Sequence, residues 1–421
     1  MSTTNLEQYA VDMARAAREA GRRLAVTSGQ QRTDALKAIA AGLREQTERL
    51  VAENAHDLAA AKDNGLTSAM IDRLRLDKAA VEKMARSVEE VAAQTDPVGQ
   101  VIEGWVRPNG LRIEKRRVPI GVVAIIYEAR PNVTSDAAAL CLKSGNACIL
   151  RGGKESFHSN LAIGQVISES IEKAGLPAAS VQIVNTTDRG LVPILLKQED
   201  SIDLVIPRGG ESLIRAVVQE SRIPVIKHYT GNCHVYVDEG CPAELAESVV
   251  LNAKTQRPGV CNAAESLLFH AEAASRLLVP VCRKLQAAGV EIRGCDRTRQ
   301  LLADAKPATE DDWSREYLDL IISVKFVDSL EAAVEHINRY GSHHTDAILT
   351  HDVRAADAFV AGVDSGNVMV NCSTRFSDGG EYGLGAEIGI STDKLHARGP
   401  MGAADLTTYK WVVTGYGQLR R

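Results

Sequence analysis

The sequence predicts an α/β protein with two Rossmann-like parallel-sheet domains, an N-terminal helical layer and a β-hairpin set apart from the sheets. Three observations carry that prediction. A chain of 421 residues is too long for one ordinary core. From Pro119 to Asn371, apolar runs of strand length alternate with amphipathic helical stretches, the pattern of parallel sheets covered on both faces. Around positions 101–116 apolar and polar residues alternate, which marks strands with one uncovered face.

Residues 5 to 95 are rich in Ala, Arg, Glu and Leu, and Ala10, Met13, Ala14 and Ala17 recur at helical spacing, as do Leu36, Ile39 and Leu43. Four or five helices are expected, broken at Ser28-Gly29 and Asn64-Gly65 and stopped by Asp96-Pro97. Val101 to Arg107 and Leu111 to Arg116, joined by Pro108-Asn109-Gly110, read as a β-hairpin. Thr407 to Val413 reads as a further exposed strand. Exposed edges need cover, so these strands are expected to mediate oligomerisation. Val122–Tyr127, Thr134–Leu142, Ala147–Leu150 and Ser156–Ala174 alternate as strand and helix. Val181–Val184, Leu191–Leu196 and Leu204–Ile206 continue the alternation before a helix at Glu211–Val218. A second series has strands at Val235–Val237, Leu267–Phe269, Ile321–Val324, Ala347–Leu349 and Val368–Val370. Ser373 to Ala403 is glycine-rich and polar and reads as a long ordered loop.

Composition narrows the function. Hydrophobic residues make up 45% and charged residues 24%, as in a soluble globular protein. A net charge of -5 argues against nucleic acid or a membrane surface as the main partner. The N-terminus has no apolar core of the signal-peptide kind. The longest apolar run, Val118 to Tyr127, contains Pro119 and Gly121 and is about half a membrane span. The eight cysteines form no Cys-x-x-Cys pair and have no histidine at zinc-finger spacing, so no metal site is expected. Scattered free thiols imply a reducing cytoplasm.

One cysteine stands apart. Cys261 lies in Thr255-Gln256-Arg257-Pro258-Gly259-Val260-Cys261-Asn262, between a helix ending near Lys254 and a strand at Glu265–Phe269. A thiol on such a turn is either a small packing residue or a nucleophile, and only its thiolate attacks. Two strand-to-loop turns carry glycines and cations: Arg151-Gly152-Gly153-Lys154 and Arg208-Gly209-Gly210. Each reads equally as a plain turn or as a phosphate site, because glycine admits close backbone approach and a helix N-terminus favours anions. The Gly-x-Gly-x-x-Gly fingerprint is absent. Asn132, after Arg130-Pro131, is either a turn former or an oxyanion donor. His228 falls where the two domains join. His343 and His344 are adjacent on a turn, so their side chains should point apart and not share a metal.

The segments VPIGVVAIIYEARPNVT (118–134), GNACILRGGKE (145–155), TQRPGVCN (255–262) and YGLGAEIGIST (382–392), with LHARGP (395–400) following, resemble the gamma-glutamyl phosphate reductases, of the aldehyde dehydrogenase superfamily. The resemblance runs in order along essentially the whole chain. It implies an aldehyde dehydrogenase-like fold, with a cofactor-binding domain from 1–98 and 119–231 and a catalytic domain over 232–372. It also implies oligomerisation strands at 99–118 and 404–421, and a substrate-site loop at 373–403. Residue by residue, it makes Cys261 the nucleophile and places Asn132 near the superfamily's oxyanion asparagine. Glu316 falls where a glutamate grips the nicotinamide ribose, and Gly145-Asn146 with Arg151 where the adenosine ribose is approached. Hydrolytic relatives carry Glu-Leu-Gly-Gly, whose glutamate activates water, and here His228-Tyr229-Thr230-Gly231 stands in its place.

The implied reaction is NADPH-dependent reduction of L-glutamyl 5-phosphate to L-glutamate 5-semialdehyde in proline biosynthesis. The implied setting is a cytoplasmic homo-oligomer, dimer or tetramer, functionally coupled to glutamate 5-kinase. Arg151 and Lys154 are the local cations for a 2′-phosphate, with Gly209 and Gly210 as a second phosphate turn. A substrate with a carboxylate, an ammonium and a phosphate needs both signs of charge. The tail is expected to fold over Cys261 and to offer Arg375 or Arg398 to an anionic group. Two rivals are an oxidative aldehyde dehydrogenase using NAD, which the missing glutamate disfavours, and a non-catalytic nucleotide-binding scaffold.

Overall fold

The computed structural model describes residues 3–420, and the chain divides into two compact units. The first holds residues up to Lys227, Gly383–Gly389 and the chain from Met401 on. The second holds His228–Tyr382 and Ile390–Pro400. The segment 373–403 thus contributes to both units instead of forming one separate loop.

The first unit opens with helices α1 (Thr3–Leu24), α2 (Gly29–Glu45), α3 (Thr47–Asp63), α4 (Ser68–Leu74) and α5 (Lys78–Ala93). The expected breaks hold. The Ser28 side chain caps α2 by accepting from the Gln31 N–H, and Gly65 takes a positive φ of 69° after α3. The apolar stripes of α2 (Leu36, Ile39, Leu43) and α5 (Val81, Val88) are buried, so packing rather than propensity holds this layer. The hairpin follows as β1 (Val101–Val106) and β2 (Arg112–Pro119), antiparallel, with Gly110 at a φ of 85° in the turn. The C-terminal strand Thr407–Thr414 pairs with β2 on its other side. All of β1 is exposed, and Trp105 meets Trp411 edge to face at 5.7 Å across this three-stranded sheet.

The rest of the unit is β3 (Val122–Tyr127), α6 (Asn132–Lys143), β4 (Ala147–Arg151), α7 (Phe157–Lys173), β5 (Val181–Ile183), α8 (Leu191–Leu195), β6 (Leu204–Arg208) and α9 (Glu211–Glu220). The strands form a parallel sheet in the order β5-β4-β3-β6. The chain winds outward from β3 through β4 and β5, then returns to the far side of β3. The order therefore reverses between β3 and β6, and their carboxyl ends flank the switch point where ligands of open sheets gather.

The second unit carries β7 (Cys233–Val237), α10 (Ala243–Thr255), β8 (Ala264–His270), α11 (Ala271–Ala287), β9 (Glu291–Gly294), α12 (Asp296–Leu301), β10 (Lys306–Pro307), β11 (Ile321–Val327), α13 (Leu330–Tyr340), β12 (Thr345–Leu349), α14 (Val353–Gly362) and β13 (Asn367–Val370). The sheet is parallel, in the order β10-β9-β11-β8-β7-β12-β13. Alternate residues explain why its strands read as unbroken apolar runs. Val235, Val237, Leu267 and Phe269 pack in one core with Val250 of α10 and Leu277 of α11. Tyr236, Leu268 and Ile348 pack in another with Ile337 of α13 and Phe359 of α14. The edge strand β10 and its neighbour β9 are absent from the sequence-based reading, being too short to show a period. The short antiparallel pair β14 (Ile390–Ser391) and β15 (Gly399–Pro400) orders part of the tail. Among the described residues no helix is long and apolar enough to cross a membrane, and all eight cysteines are free thiols.

Candidate active site

In the second unit, three neighbouring strands bring a chemical cluster to one edge of the sheet. The strands β8, β7 and β12 lie side by side, and Cys261, His228 and His344 each precede one of them. The Cys261 sulfur and one ring nitrogen from each histidine lie within 4.8 Å of one another. The two rings meet edge to face, centroids 5.3 Å apart. The cluster sits at the amino ends of these parallel strands and contains no carboxylate.

The turn bearing Cys261 is tightly held. A Cβ added at Gly231 would lie 2.0 Å from the Cys261 carbonyl oxygen and 2.6 Å from its Cα, so only glycine admits this backbone contact. The Gly231 N–H donates to Glu316 Oε1 at 2.9 Å, and the buried Cys233 thiol donates to the Cys261 carbonyl at 3.1 Å. Burial pushes the Cys233 thiol pKa well up, which keeps it protonated as a donor. The flanks of the turn are joined by an ion pair with both side chains inaccessible, Lys254 Nζ to Glu265 Oε2 at 2.6 Å. Burial pushes the Glu265 carboxyl up to about 7 and the lysine down, and neither could lose its partner without stranding a buried polar group. Glu265 Oε1 also accepts from the Leu318 N–H at 3.0 Å, tying the segment after Glu316 to the same clamp.

His344 is the residue that sequence reasoning passed over. The expectation that His343 and His344 point apart holds: His343 Nδ1 lies 2.6 Å from the Asp364 carbonyl, while His344 is buried with Nδ1 2.9 Å from Thr345 Oγ1. Thr345 Oγ1 donates to Ser377 Oγ at 2.9 Å, so it accepts from His344 Nδ1–H and leaves the lone pair of a neutral His344 on Nε2. A histidine at the first position before a buried strand is the available signal, but only strand order shows which loops it joins.

Of the two tail arginines, Arg375 lies against the cysteine turn. Its Nε donates to Gln256 Oε1 at 2.8 Å and its guanidinium meets Asn262 Oδ1, while Asn262 Nδ2 donates to the Ser377 carbonyl at 2.7 Å. Burial lowers the pKa of Arg375. Arg398 is committed to Asp364, 2.8 Å from its carboxylate and 3.0 Å from its carbonyl, with Lys394 on the same carboxylate at 2.7 Å. These two cations hold the Asp364 carboxyl down at about 2.

In the first unit, Arg151 ends β4 beside the switch-point strand β3, and exposed Lys154 follows it. Arg151 Nε is buried with no hydrogen-bond partner among the described residues, and burial together with Arg189 lowers its pKa. Gly152 is required by packing, since a Cβ there would lie 2.0 Å from Asn160 Nδ2. Gly209 and Gly210 lead into α9, but the Glu128 carboxylate lies against that turn, and Arg208 pairs with Glu387 at 3.3 Å. An anion would meet the Glu128 carboxylate there, while at the Arg151 turn the Glu155 carboxylate lies beside Gly153 together with the cations Arg151 and Lys154. Asn132 opens α6, exposed, with Nδ2 donating to Asp136 at 3.0 Å, and burial pushes the Asp136 carboxyl up to about 6.

The profile of the aldehyde dehydrogenase family matches residues 3–296. A gamma-glutamyl phosphate reductase of Desulfatibacillum aliphaticivorans is 55% identical over 416 residues, 99% of this chain and 100% of the relative. One from Moorella thermoacetica is 53% identical over 405 residues, 96% of this chain and 97% of the relative. The crystal structure of gamma-glutamyl phosphate reductase from Thermotoga maritima superposes with a TM-score of 0.95 at 45% identity, covering 98% of this chain and 100% of that one. An acetylating aldehyde dehydrogenase of Geobacillus thermoglucosidasius, at 16% identity and a TM-score of 0.70 over 100% of this chain and 99% of that one, shares the fold. The chain belongs to the aldehyde dehydrogenase family, a family of oxidoreductases. Within it, the chain groups with the gamma-glutamyl phosphate reductases.

Proposed function

We propose that this protein reduces L-glutamyl 5-phosphate to L-glutamate 5-semialdehyde and phosphate, using NADPH, in proline biosynthesis. One observation carries the reading beyond family membership: the clamped thiol of Cys261 lies within 4.8 Å of a ring nitrogen of each of two imidazoles, in a group without a carboxylate. A neighbouring imidazole lowers the cost of forming a thiolate. Cys261 Sγ forms a bond to the acyl carbon as the bond from that carbon to the phosphate oxygen breaks, and phosphate leaves with the electron pair. The backbone N–H of Cys261 and the amide of Asn132, released from Asp136, are assigned to the oxyanion. When bound, the dinucleotide supplies a hydride. Cys261 leaves as thiolate when the aldehyde is released. Glu316, oriented by the Gly231 N–H, is assigned to the nicotinamide ribose, and Arg375 to an anionic group of the substrate. Turnover of an acyl phosphate with NADPH, set against simple aldehydes with NAD, tests the reading, and a clear preference for the second pair overturns it. The exposed sheet of β1, β2 and the C-terminal strand is assigned to self-association.

The buried Arg151 Nε, with no hydrogen-bond partner among the described residues, supports a 2′-phosphate here, because a guanidinium grips phosphate bidentately and Arg189 adds positive charge beside it. Arg151→Ala is expected to weaken NADPH by about 10- to 100-fold, the worth of a charged hydrogen bond, while leaving NADH nearly unchanged. Equal weakening of both cofactors, measured by fluorescence titration, removes the assignment.

A second expectation concerns water. With an imidazole at 228, a thioester on Cys261 lacks the glutamate base of hydrolytic relatives. His228→Glu should raise phosphate release above one per NADPH oxidised, because a carboxylate beside the thioester activates water. An unchanged ratio would mean that residue 228 does not occupy the base position.

A further inference from the structure

We infer that Cys261, His228 and His344 form a three-ligand site for a borderline-soft divalent cation of the zinc class, and that filling it reversibly blocks the thiol. The sequence-based expectation of no metal site rested on spacing, and these positions are scattered along the chain. The fold brings one sulfur and two ring nitrogens within 4.8 Å of one another. Tetrahedral zinc with bonds of roughly 2.3 Å to sulfur and 2.0 Å to nitrogen sets its ligands about 3.5 Å apart, so side-chain rotations of about 1 Å close the site.

The donor set selects the cation. One thiolate and two imidazoles suit zinc or cobalt, and the group offers no carboxylate for calcium or magnesium. The fixed tautomer of His344, with Nδ1–H given to Thr345, puts its lone pair on Nε2. The neighbouring Cys233 is no fourth ligand, because its thiol donates to the Cys261 carbonyl. The fourth position stays open to water. Binding exchanges the Cys261 thiol proton for the metal, releases that proton to solvent, and weakens as pH falls. The sulfur so bound is no longer available as a nucleophile.

The site is tested with cobalt(II) as the probe on the full chain, titrated at neutral pH and read by absorption. A thiolate-to-cobalt charge-transfer band in the near ultraviolet, with visible bands of tetrahedral intensity, should saturate at one equivalent and be displaced by zinc. Cys261→Ser should remove the charge-transfer band. His228→Ala and His344→Gln should each weaken binding by at least about tenfold. His228 is only half-buried, so its variant keeps the test alive if the His344 variant fails to fold. Absence of the band, or a band that neither histidine substitution weakens, overturns the proposal. The readout is metal binding, so it can fail while the reductase reading stands, and it can succeed if that reading falls.

Discussion

Cys261→Ala is expected to lower acyl-phosphate reduction by at least about 10⁴-fold, to background, while the unfolding free energy stays within about 1 kcal/mol of the parent. The loss follows from the absence of another sulfur that can replace it. Cys233 is buried, its thiol pKa is pushed well up, and its proton is given to the Cys261 carbonyl. The small stability change follows from the side chain's partial exposure on a turn fixed from outside, by Gly231, Cys233 and the Lys254–Glu265 pair. The controls run the opposite way. Cys282 is buried in the core of the second unit, and burial pushes its thiol up to about 12. Cys282→Ala should cost packing energy and leave the turnover of the folded enzyme unchanged. Cys295, whose sulfur lies 3.3 Å from Thr298 Oγ1, should behave in the same way. The measurement is NADPH oxidation beside thermal unfolding for each variant. Substantial turnover in Cys261→Ala would remove the nucleophile assignment.

What could be read from the sequence follows from which interactions are local. The Pro258-Gly259 break between α10 and β8 placed Cys261 on a turn, because helix termination and strand period are both written within about ten residues. The hairpin was legible for the same reason, through alternation and Gly110. His344 was not, because its role depends on β12 lying beside β7 and β7 beside β8, and strand order is a property of the whole sheet. The weighing of the two glycine turns was equally out of reach. Gly152-Gly153 and Gly209-Gly210 look alike as sequence, yet Glu128 rests against the second and a buried, unpartnered arginine nitrogen marks the first. The tail arginines also look alike, but Asp364 takes Arg398, while Arg375 reaches Gln256 and Asn262 on either side of the cysteine.

Gly231→Ala is expected to lower turnover by roughly 10²-fold, although it removes no reacting atom. The added methyl would sit 2.0 Å from the Cys261 carbonyl oxygen and 2.6 Å from its carbonyl carbon and Cα. These are backbone atoms of a turn pinned at both flanks, so no rotamer change relieves the contact. Either the 228–232 segment or the Cys261 turn must move by about 1 Å, and a displacement of that size at a nucleophile costs roughly 10²-fold in rate. The shift would also strain the Gly231–Glu316 and Cys233–Cys261 hydrogen bonds. A stability loss of about 1–3 kcal/mol is expected alongside, in the range of an overpacked core site. Gly240→Ala is the matched control, since a Cβ there meets nothing within 4 Å. It should leave both rate and stability nearly unchanged. Measuring kcat at saturating substrate beside thermal unfolding separates the effects. If Gly231→Ala lost only stability and kept its kcat, the close packing of this glycine on Cys261 would be scaffold alone. A fall in kcat at a temperature where the variant remains folded would show that the glycine sets the position of the sulfur.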